Sequence, residues 1–490
     1  MRKRFVDQLS FGSLPIGDTP VDPKSKNKLD ELLVALLALF KDDEYLEKLM
    51  QLLESCVTFN KKKTGRQGMD LWNIFVLSQV RMCLNLSYEE LHNYASNHLT
   101  LRHLMGLETT WGYERICFGY QQIHDNISFL NKDVVKKINE LVLEFGHKKI
   151  FKKKPDAGVR LKSDSFAVES NVHFPTDYNL LWDCVRVSVR LIRKFCKKYD
   201  HIGEWRKAFD WSRRIKNLMR NLGRASRGGG ANKAVRVHYA AENLLKVARS
   251  FLAKLEGSLP HFPKQDVWDV ITMNMLLEFK GYLIKHIDLV DRRLIKGQEI
   301  PHEEKMFSVF ETYTEWISKG KRNVELGKKV CITTDADHLI VDYQIMKNEQ
   351  DRDIIQALCD RVSEKYNILS WSFDKGYWSK ENKAILEQKV DTLVLPKLGK
   401  RNTSEEAVET SKDFKRLKNK HSTVESNINE LEHRGLNRCL DKGEAHFDRY
   451  VGLAICAYNL KKMGRKILTA ERKKIAAAAK KKSAVNRKAA

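Results

Sequence analysis

The sequence is poor in the features that mark secreted, membrane and zinc-binding proteins. It has no run of about eighteen apolar residues, so no membrane span is expected. The N-terminus, MRKRFVDQLSFGSLP, lacks the apolar core of a signal peptide. None of the nine cysteines forms a CxxC pair and their number is odd, which argues against a zinc module and a disulfide frame. These absences predict a cytoplasmic protein with reduced thiols.

Positive charge dominates the composition. Lysine and arginine number 88 against 63 aspartates and glutamates, which gives a net charge of +25 over 490 residues. A charge of this sign and size indicates a polyanionic partner, most simply nucleic acid, although a basic solvated surface would give the same balance. The C-terminal tail, KKMGRKILTAERKKIAAAAKKKSAVNRKAA, predicts an arm that adds salt-sensitive affinity for a DNA backbone.

The first third of the chain has a helical pattern. Apolar residues at three-and-four spacing predict helices in residues 29–53 and 69–107. Ser87 lies three residues before Glu90, which is the spacing of a capping box and predicts a helix that starts at Tyr88. Short helices joined by tight turns suit a helix-turn-helix unit or a plain helical bundle, and the pattern does not decide between them. We therefore predict an all-α N-terminal domain that binds DNA.

Strand patterns begin after residue 150. A short strand is predicted around residues 164–168, and a long helical stretch follows it. From Met306 onward, strand and helix patterns alternate, with strands expected in residues 306–318, 328–346, 368–373 and 391–399 and the last helix from His421. Strands mixed with crossover helices predict an α/β fold with a mixed sheet flanked by helices. The predicted parts are an N-terminal domain at 1–150, a core at 151–185 and 306–450, a helical insertion at 186–305, and a C-terminal helix with a basic tail at 451–490.

Three acids stand at positions where such a sheet could collect them. Asp164 lies on the first strand, and Asp374 follows a buried strand in ILSWSFDKGYWS. Glu425 lies on the helix after the last strand. Asp followed by Lys-Gly is also ordinary turn chemistry, which is the simpler explanation of Asp374. Ligands of open α/β sheets favour the carboxyl ends of strands, and converging carboxylates repel each other unless a cation such as Mg²⁺ lies between them.

Other acids compete for the same role. Asp335 and Asp337, in TTDAD, predict a hairpin turn between two strands. Glu430 and Glu432 follow Glu425 on the same predicted helix, at spacings that turn them away from it or place them two turns further along.

Several motifs together resemble one family of enzymes. KSDSFAVESNVHFPTDYNLLWD, SFDKGYWS, LPKLGK and HSTVESNINELEHRGLNRCLDKGEAHFDRYVGLAICAYNL are similar to bacterial insertion-sequence transposases of the DDE type, in particular the ISNCY-like group. The resemblance covers roughly residues 60–465. It implies an RNase H-like catalytic core in which Asp164, Asp374 and Glu425 are the catalytic and metal-binding residues.

The same resemblance implies cofactors and partners. The acids would hold two Mg²⁺ ions, or Mn²⁺ in their place, for a two-metal displacement at phosphorus. The enzyme would cleave double-stranded DNA at the terminal inverted repeats of an element and join the 3′-hydroxyl to target DNA, as a homodimer or larger assembly near the bacterial nucleoid. No membrane and no other cofactor is implied. Two other classes stay open: a stand-alone metal-dependent nuclease or resolvase, and a non-catalytic DNA-binding protein derived from a transposase.

Basic side chains near these motifs are candidates for DNA contacts. His421 lies one helical turn before Glu425, where relatives often carry arginine, so it could face the site, bind phosphate or cap the helix. The predicted phosphate-binding set is Arg66, Arg102, Arg213, Arg214, Lys397, Lys400, Arg401, His421, Arg434 and Arg438.

Overall fold

A computed structural model of the chain describes residues 2–6, 14–56, 68–108, 116–154, 157–199, 205–319 and 323–489. Its contacts divide the chain into two compact units, one formed by Met1–Asn171 with Ile317–Ala490 and the other by Val172–Trp316. Within these described ranges, no helix is both long enough and apolar enough to cross a membrane.

Seven helices open the first unit. The capping box of Ser87 and Glu90 forms as predicted and starts a helix at Tyr88. The third helix, Leu71–Leu84, is buried on nearly all sides, which explains why its sequence is apolar throughout. These helices belong to the same compact unit as the sheet. They are α1 (Lys28–Phe40), α2 (Asp43–Ser55), α3 (Leu71–Leu84), α4 (Tyr88–Asn97), α5 (Leu99–Leu104), α6 (Tyr120–Ile127) and α7 (Lys132–Phe145).

The second unit is helical and follows strand β1 (Val159–Ser170). Its first helix begins at Asp177, inside the range predicted for the core, because the Thr176 side chain accepts a hydrogen bond from the Asn179 N–H and caps the helix. Apolar side chains from all four helices share one core. The helices are α8 (Asp177–Lys198), α9 (Ala208–Arg227), α10 (Lys233–Ser258) and α11 (Val267–Val290).

A mixed sheet forms the centre of the first unit. The further strands are β2 (Glu315–Lys319), β3 (Asn323–Thr334), β4 (Ile340–Ile345), β5 (Ile368–Ser372), β6 (Val390–Val394) and β7 (Arg438–Cys439). The order is β2-β3-β1-β5-β6, with β4 also paired to β3 and β7 to β1. β1 pairs antiparallel with β3 and parallel with β5, and β5 pairs parallel with β6. The predicted mixed sheet flanked by helices is therefore present.

The remaining helices alternate with the later strands in the predicted order. They are α12 (Ile355–Ser363), α13 (Lys380–Glu387), α14 (Thr403–Thr410), α15 (Lys412–Leu431) and α16 (Glu444–Ala489). Two predicted boundaries are wrong. α15 begins well before His421, because Ser411 caps it by accepting a hydrogen bond from the Phe414 N–H. The strand predicted from Met306 starts only at Glu315, because the apolar residues before it pack against the helical unit, as Phe310 does against Phe279.

Candidate metal-binding and nucleic-acid site

Two predicted acids lie on one face of two neighbouring strands. The parallel register of β1 and β5 pairs Lys162 with Ser372. Side chains two residues further along a strand point to the same face, which places Asp164 on β1 and Asp374 beyond β5 on a common face. The backbone is still extended at Asp374 (φ −80°, ψ 169°). The Phe373 N–H donates to the Val394 carbonyl at 2.9 Å, which keeps this segment beside β6.

Helix α15 packs across the same face and brings the third acid. The Oγ of Ser372 lies 3.0 Å from Nδ1 of His421, and the ammonium of Lys162 donates to Oγ1 of Thr423 at 2.6 Å. Glu425 follows His421 by four residues, so it lies on the same side of the helix, one turn along. Residues from β1, β5 and α15 therefore place all three predicted acids at one edge of the sheet.

The charges of these acids act on each other. The pKa of Asp164 is raised to about 7, mainly by burial and to a smaller extent by the charges of Asp374, Asp351 and Glu425, while the hydrogen bond from the Ser165 N–H acts in the opposite direction. The carboxyls of Asp374 and Glu425 are exposed, whereas Asp164 is partly buried. Acids from three distant segments thus share one electrostatic neighbourhood, as the sequence predicted.

Asp351 is a further acid whose charge acts on Asp164 and which the sequence analysis missed, although its partner Ser165 points to the opposite face of β1 from Asp164. It follows β4, and its Oδ1 accepts a hydrogen bond from the Ser165 hydroxyl at 2.6 Å. Its Oδ2 lies 3.4 Å from the ammonium of Lys329 and borders Gly376, in the turn after Asp374. The surrounding KNEQDRD is a polar loop with no strand-end pattern, so only the fold reveals this position.

His421 faces the acid cluster, which is one of the three alternatives predicted for it. Burial lowers its pKa below the ordinary value, although the charge of Asp374 opposes this effect. Its Nε2 is buried and has no hydrogen-bond partner in the part of the chain that the structure describes. The ring therefore joins α15 to β5 through Nδ1 and leaves its second nitrogen unsatisfied.

The competing acids have structural roles. Asp335 accepts hydrogen bonds from His147 at 2.8 Å and Lys153 at 2.7 Å, and from the N–H groups of Asp337 and Leu339 in the turn between β3 and β4. Burial raises the pKa of Asp335, but the bond from His147 and the charge of Lys153 outweigh it and hold the pKa below its ordinary value. The predicted hairpin turn is confirmed.

Glu430 is likewise paired and turned away from the cluster. Its carboxylate lies 3.0 Å from the ammonium of Lys461 and 2.8 Å from that of Lys462, both on α16. Burial raises the pKa of Glu430, but these two lysines bring it down to about 2. This acid therefore joins α15 to α16.

The donor chemistry of the acid cluster fits Mg²⁺. Its members offer only carboxylate oxygens, which Mg²⁺ prefers, usually one or two at a time together with water and substrate phosphates. Among the described residues, no group of three or more histidine, cysteine, aspartate or glutamate side chains forms a ready-made metal cage. A cation here would offset the mutual repulsion that raises the pKa of Asp164.

Two of the predicted DNA contacts are turned inward. Arg102 is fully buried, with its guanidinium 2.5 Å from Glu108 and 3.0 Å from the carbonyl of Leu107, so its prediction as a phosphate ligand is wrong. Arg434 donates to the carbonyl of Cys83 and lies 3.5 Å from Glu430. Arg66 lies outside the described residues.

The remaining predicted contacts are more exposed, and several already have partners. Lys397 pairs with Glu405 at 2.6 Å, and Arg401 pairs with Glu409 at 2.8 Å. Arg213 pairs with Asp210 at 3.2 Å on the surface of α9. Arg214, Lys400 and Arg438 are also exposed.

Other cations border the acids more closely. They lie on β1 and on the first half of α15. Because the helix was predicted to start only at His421, the sequence did not indicate that the lysines on α15 share a helix with Glu425. In the described parts of the chain the structure shows no ion pair for any of these cations. They are Arg160, Lys162, Lys415, Lys418 and Lys420.

Comparison with known proteins adds no relative to this picture. No family model matches the chain, and neither a curated protein nor a solved structure matches it. The chemistry of the site therefore rests on its own residues.

Proposed function

We propose that the protein is a DDE transposase, which cleaves DNA strands at the ends of an insertion sequence and transfers the 3′-hydroxyl ends to target DNA. The observation that carries this proposal is the meeting of Asp164, Asp374 and Glu425 at one sheet edge, where the charges of the other two acids raise the pKa of Asp164. The mixed sheet, with an antiparallel hairpin on one side of β1 and parallel strands on the other, supports the RNase H-like core that the resemblance implies.

Each of the three acids has a role as a ligand. In this proposal Asp164 on β1 and Asp374 just beyond β5 would hold one cation between them, with Glu425 closing the site from α15. Bound Mg²⁺ ions, or Mn²⁺ in their place, would supply activation of the attacking oxygen and stabilisation of the leaving oxygen. The contact between Ser372 and His421 holds α15 on the sheet, so that Glu425 keeps its position beside the other two acids.

The positive charge serves the same substrate. Double-stranded DNA is the partner that a net charge of +25 favours, and the exposed cations on α15 lie on the same helix as Glu425. Because transposition joins two element ends, the active form is at least a homodimer in its DNA complex, working at the nucleoid in the bacterial cytoplasm.

Cleavage and joining by the purified protein test the proposal. A plasmid that carries the element with its flanking DNA is incubated with Mg²⁺, and nicked, linear and joined products are resolved on gels. Asp374→Asn and Glu425→Gln are each expected to reduce cleavage about a thousandfold, because each removes a charged metal ligand. Both should retain DNA affinity. Asp413→Asn, an exposed acid on the same helix, is the matched control and keeps wild-type activity.

Two outcomes would contradict the transposase assignment. Cleavage without any joined product would identify a stand-alone nuclease or resolvase with the same acids. DNA binding with no Mg²⁺-dependent product, unchanged in Asp374→Asn, would identify a non-catalytic DNA-binding protein.

A further inference from the structure

A cationic cavity lies between β1, β5 and the first half of α15. Its volume is about 290 Å³. No aspartate or glutamate is among the described residues that line it, whereas two lysines, an arginine and a histidine are. Three hydroxyl groups also line it, of which that of Thr423 already donates to the Lys420 carbonyl and that of Ser372 contacts His421. The polar lining residues are Arg160, Lys162, His338, Ser370, Ser372, Lys420 and Thr423.

The cavity borders the acid cluster directly. Lys162 lies two residues before Asp164 on β1, so both side chains are on the face that α15 covers. The two Cα atoms are about 7 Å apart at ordinary strand spacing. Thr423, which accepts the hydrogen bond from Lys162, lies two residues before Glu425. The cavity and the acids are therefore neighbours on both β1 and α15.

Lys162 differs from the other inward-facing cations of this unit. It is half-buried, and its ammonium contacts a hydroxyl with no carboxylate in ion-pair range within the described residues. Elsewhere the chain supplies a counter-charge: Arg81 pairs with Asp441 at 2.8 Å and Lys461 with Glu430 at 3.0 Å. The charge of Asp335 acts on Lys162 but makes no ion pair with it, so a negatively charged ligand in the cavity would further stabilise this partly buried cation.

We propose that this cavity binds a backbone phosphate of the DNA strand, next to the phosphodiester that meets the acids. Lysine and arginine form charge-assisted hydrogen bonds with phosphate oxygens, and hydroxyl groups complete such sites. Lys415 and Lys418 continue the positive surface along α15 toward its N-terminus. The inference rests on the proposed function for the identity of the neighbouring phosphodiester, and it adds Lys162 as a substrate-positioning residue.

The salt dependence of DNA binding tests the cavity without any need for cleavage. Dissociation constants for a random-sequence duplex are measured over a range of NaCl concentrations for the wild type and Lys162→Met. Loss of one phosphate contact is expected to make the slope of log K against log salt shallower by about 0.9. The matched control, Lys137→Met, changes an exposed lysine on α7 that does not line the cavity, and it keeps the wild-type slope.

Further variants separate charge from folding. Lys162→Arg keeps the charge and is expected to keep the slope, while thermal melting reports whether each variant folds. If Lys162→Met does not fold, Lys420→Met removes a cation from the same cavity at an exposed helix position and should also make the slope shallower. A wild-type slope in both methionine variants, or in Lys420→Met when it alone folds, overturns the proposal.

Inorganic phosphate distinguishes the two sources of the ligand. If phosphate raises the Tm of the wild type but not of Lys162→Met, while their DNA slopes are equal, the cavity takes a free anion and the backbone assignment is wrong. A shallower slope in Lys162→Met supports the assignment, whether or not cleavage is observed. If Lys162→Met has the shallower slope but the wild type shows no Mg²⁺-dependent cleavage, the proposed function is wrong and the phosphate site still stands.

Discussion

Two groups of acids in the sheet-containing unit have opposite surroundings. Asp335, Asp441 and Glu430 each contact at least two basic side chains of the chain, as Asp441 does with Arg81 at 2.8 Å and Arg449 at 3.0 Å. Each of these three has a pKa below its ordinary value. Asp164, in contrast, is surrounded by other acids, and its pKa is raised.

The difference shows how the chain separates folding from function. Cations are abundant in this protein, so composition alone does not keep them away from the acid cluster. Lys162 and Lys420 lie close by, yet they line a cavity of their own and do not pair with the acids. The acids that join helices and strands are neutralised by basic side chains of the chain, whereas the acid cluster would be neutralised by a bound cation. The following predictions test this contrast.

Removal of a paired acid should cost the most stability. Asp335→Asn removes the buried carboxylate that contacts His147 and Lys153 and leaves Lys153 only the more exposed Asp337, so the free energy of unfolding is expected to fall by about 3 kcal/mol. Asp164→Asn in metal-free protein should instead keep or raise the free energy of unfolding, because it removes a charge that burial and the neighbouring acids disfavour. Urea unfolding measures both. Equal losses in the two variants would mean that Asp164 is also a structural acid.

Mg²⁺ should stabilise the folded protein through the acid cluster alone. At a concentration one hundred times its Kd, a ligand that binds only the folded state adds about 2.7 kcal/mol. Thermal melting with and without Mg²⁺ should therefore show a rise in Tm for the wild type and for Asp413→Asn, but none for Asp374→Asn. An equal rise in all three would place the binding of Mg²⁺ elsewhere.

The two groups of acids should respond to pH in opposite directions. Glu430, with a pKa of about 2 against an ordinary 4.5, stabilises the fold above pH 4.5, and this contribution is lost as the pH falls toward 2. Asp164, with a pKa of about 7 against an ordinary 3.8, opposes folding when ionised. Its penalty, on the order of 4 kcal/mol, should therefore largely disappear as the pH falls from 7 to about 4.

Variants assign these pH effects to the two residues. In EDTA, Asp164→Asn is expected to lose the gain in stability between pH 8 and pH 5, and Glu430→Gln to lose part of the decline below pH 4.5. Urea unfolding at each pH measures both differences. A wild-type pH profile in Asp164→Asn would show that the acids do not repel each other in solution.

The three acids were predicted from two sources. Strand and helix patterns placed them on the first strand, after a buried strand and on the last helix, but the family resemblance selected them, and Asp164 in particular had only a weak local signal. The order of strands and helices from β1 to α15 agrees with the alternation of patterns in the sequence.

Other features depend on which distant segments of the chain lie side by side in the fold. The hydrophobic periodicity of the sequence does not specify this. The charge of Asp351 acts on Asp164 only because the loop after β4 lies beside β1. Arg102 was predicted as a surface cation, but the packing of α5 surrounds its guanidinium with carbonyls and Glu108. Lys162 is unusual because it has no ion pair with a carboxylate among the described residues, and the sequence alone does not reveal this.

The smallest effect should come from the hydroxyl groups on the two faces of the sheet. Ser372 contacts His421 on the side of the acids, whereas Ser163 accepts a hydrogen bond from Trp371 at 2.8 Å and contacts Thr333 at 2.7 Å on the opposite face. Either serine-to-alanine change is expected to lower the free energy of unfolding by about 1 kcal/mol.

Only Ser372→Ala should also slow Mg²⁺-dependent cleavage several-fold, because α15 carries Glu425 and loses one of its contacts to β5. Ser372→Thr restores the hydroxyl and is expected to recover the rate. Single-turnover cleavage, with saturating Mg²⁺ and with the protein in saturating excess over the DNA, measures the rate apart from binding. Equal rates in Ser372→Ala and Ser163→Ala would show that the anchoring of α15 does not limit the site, and that the acids hold their geometry without it.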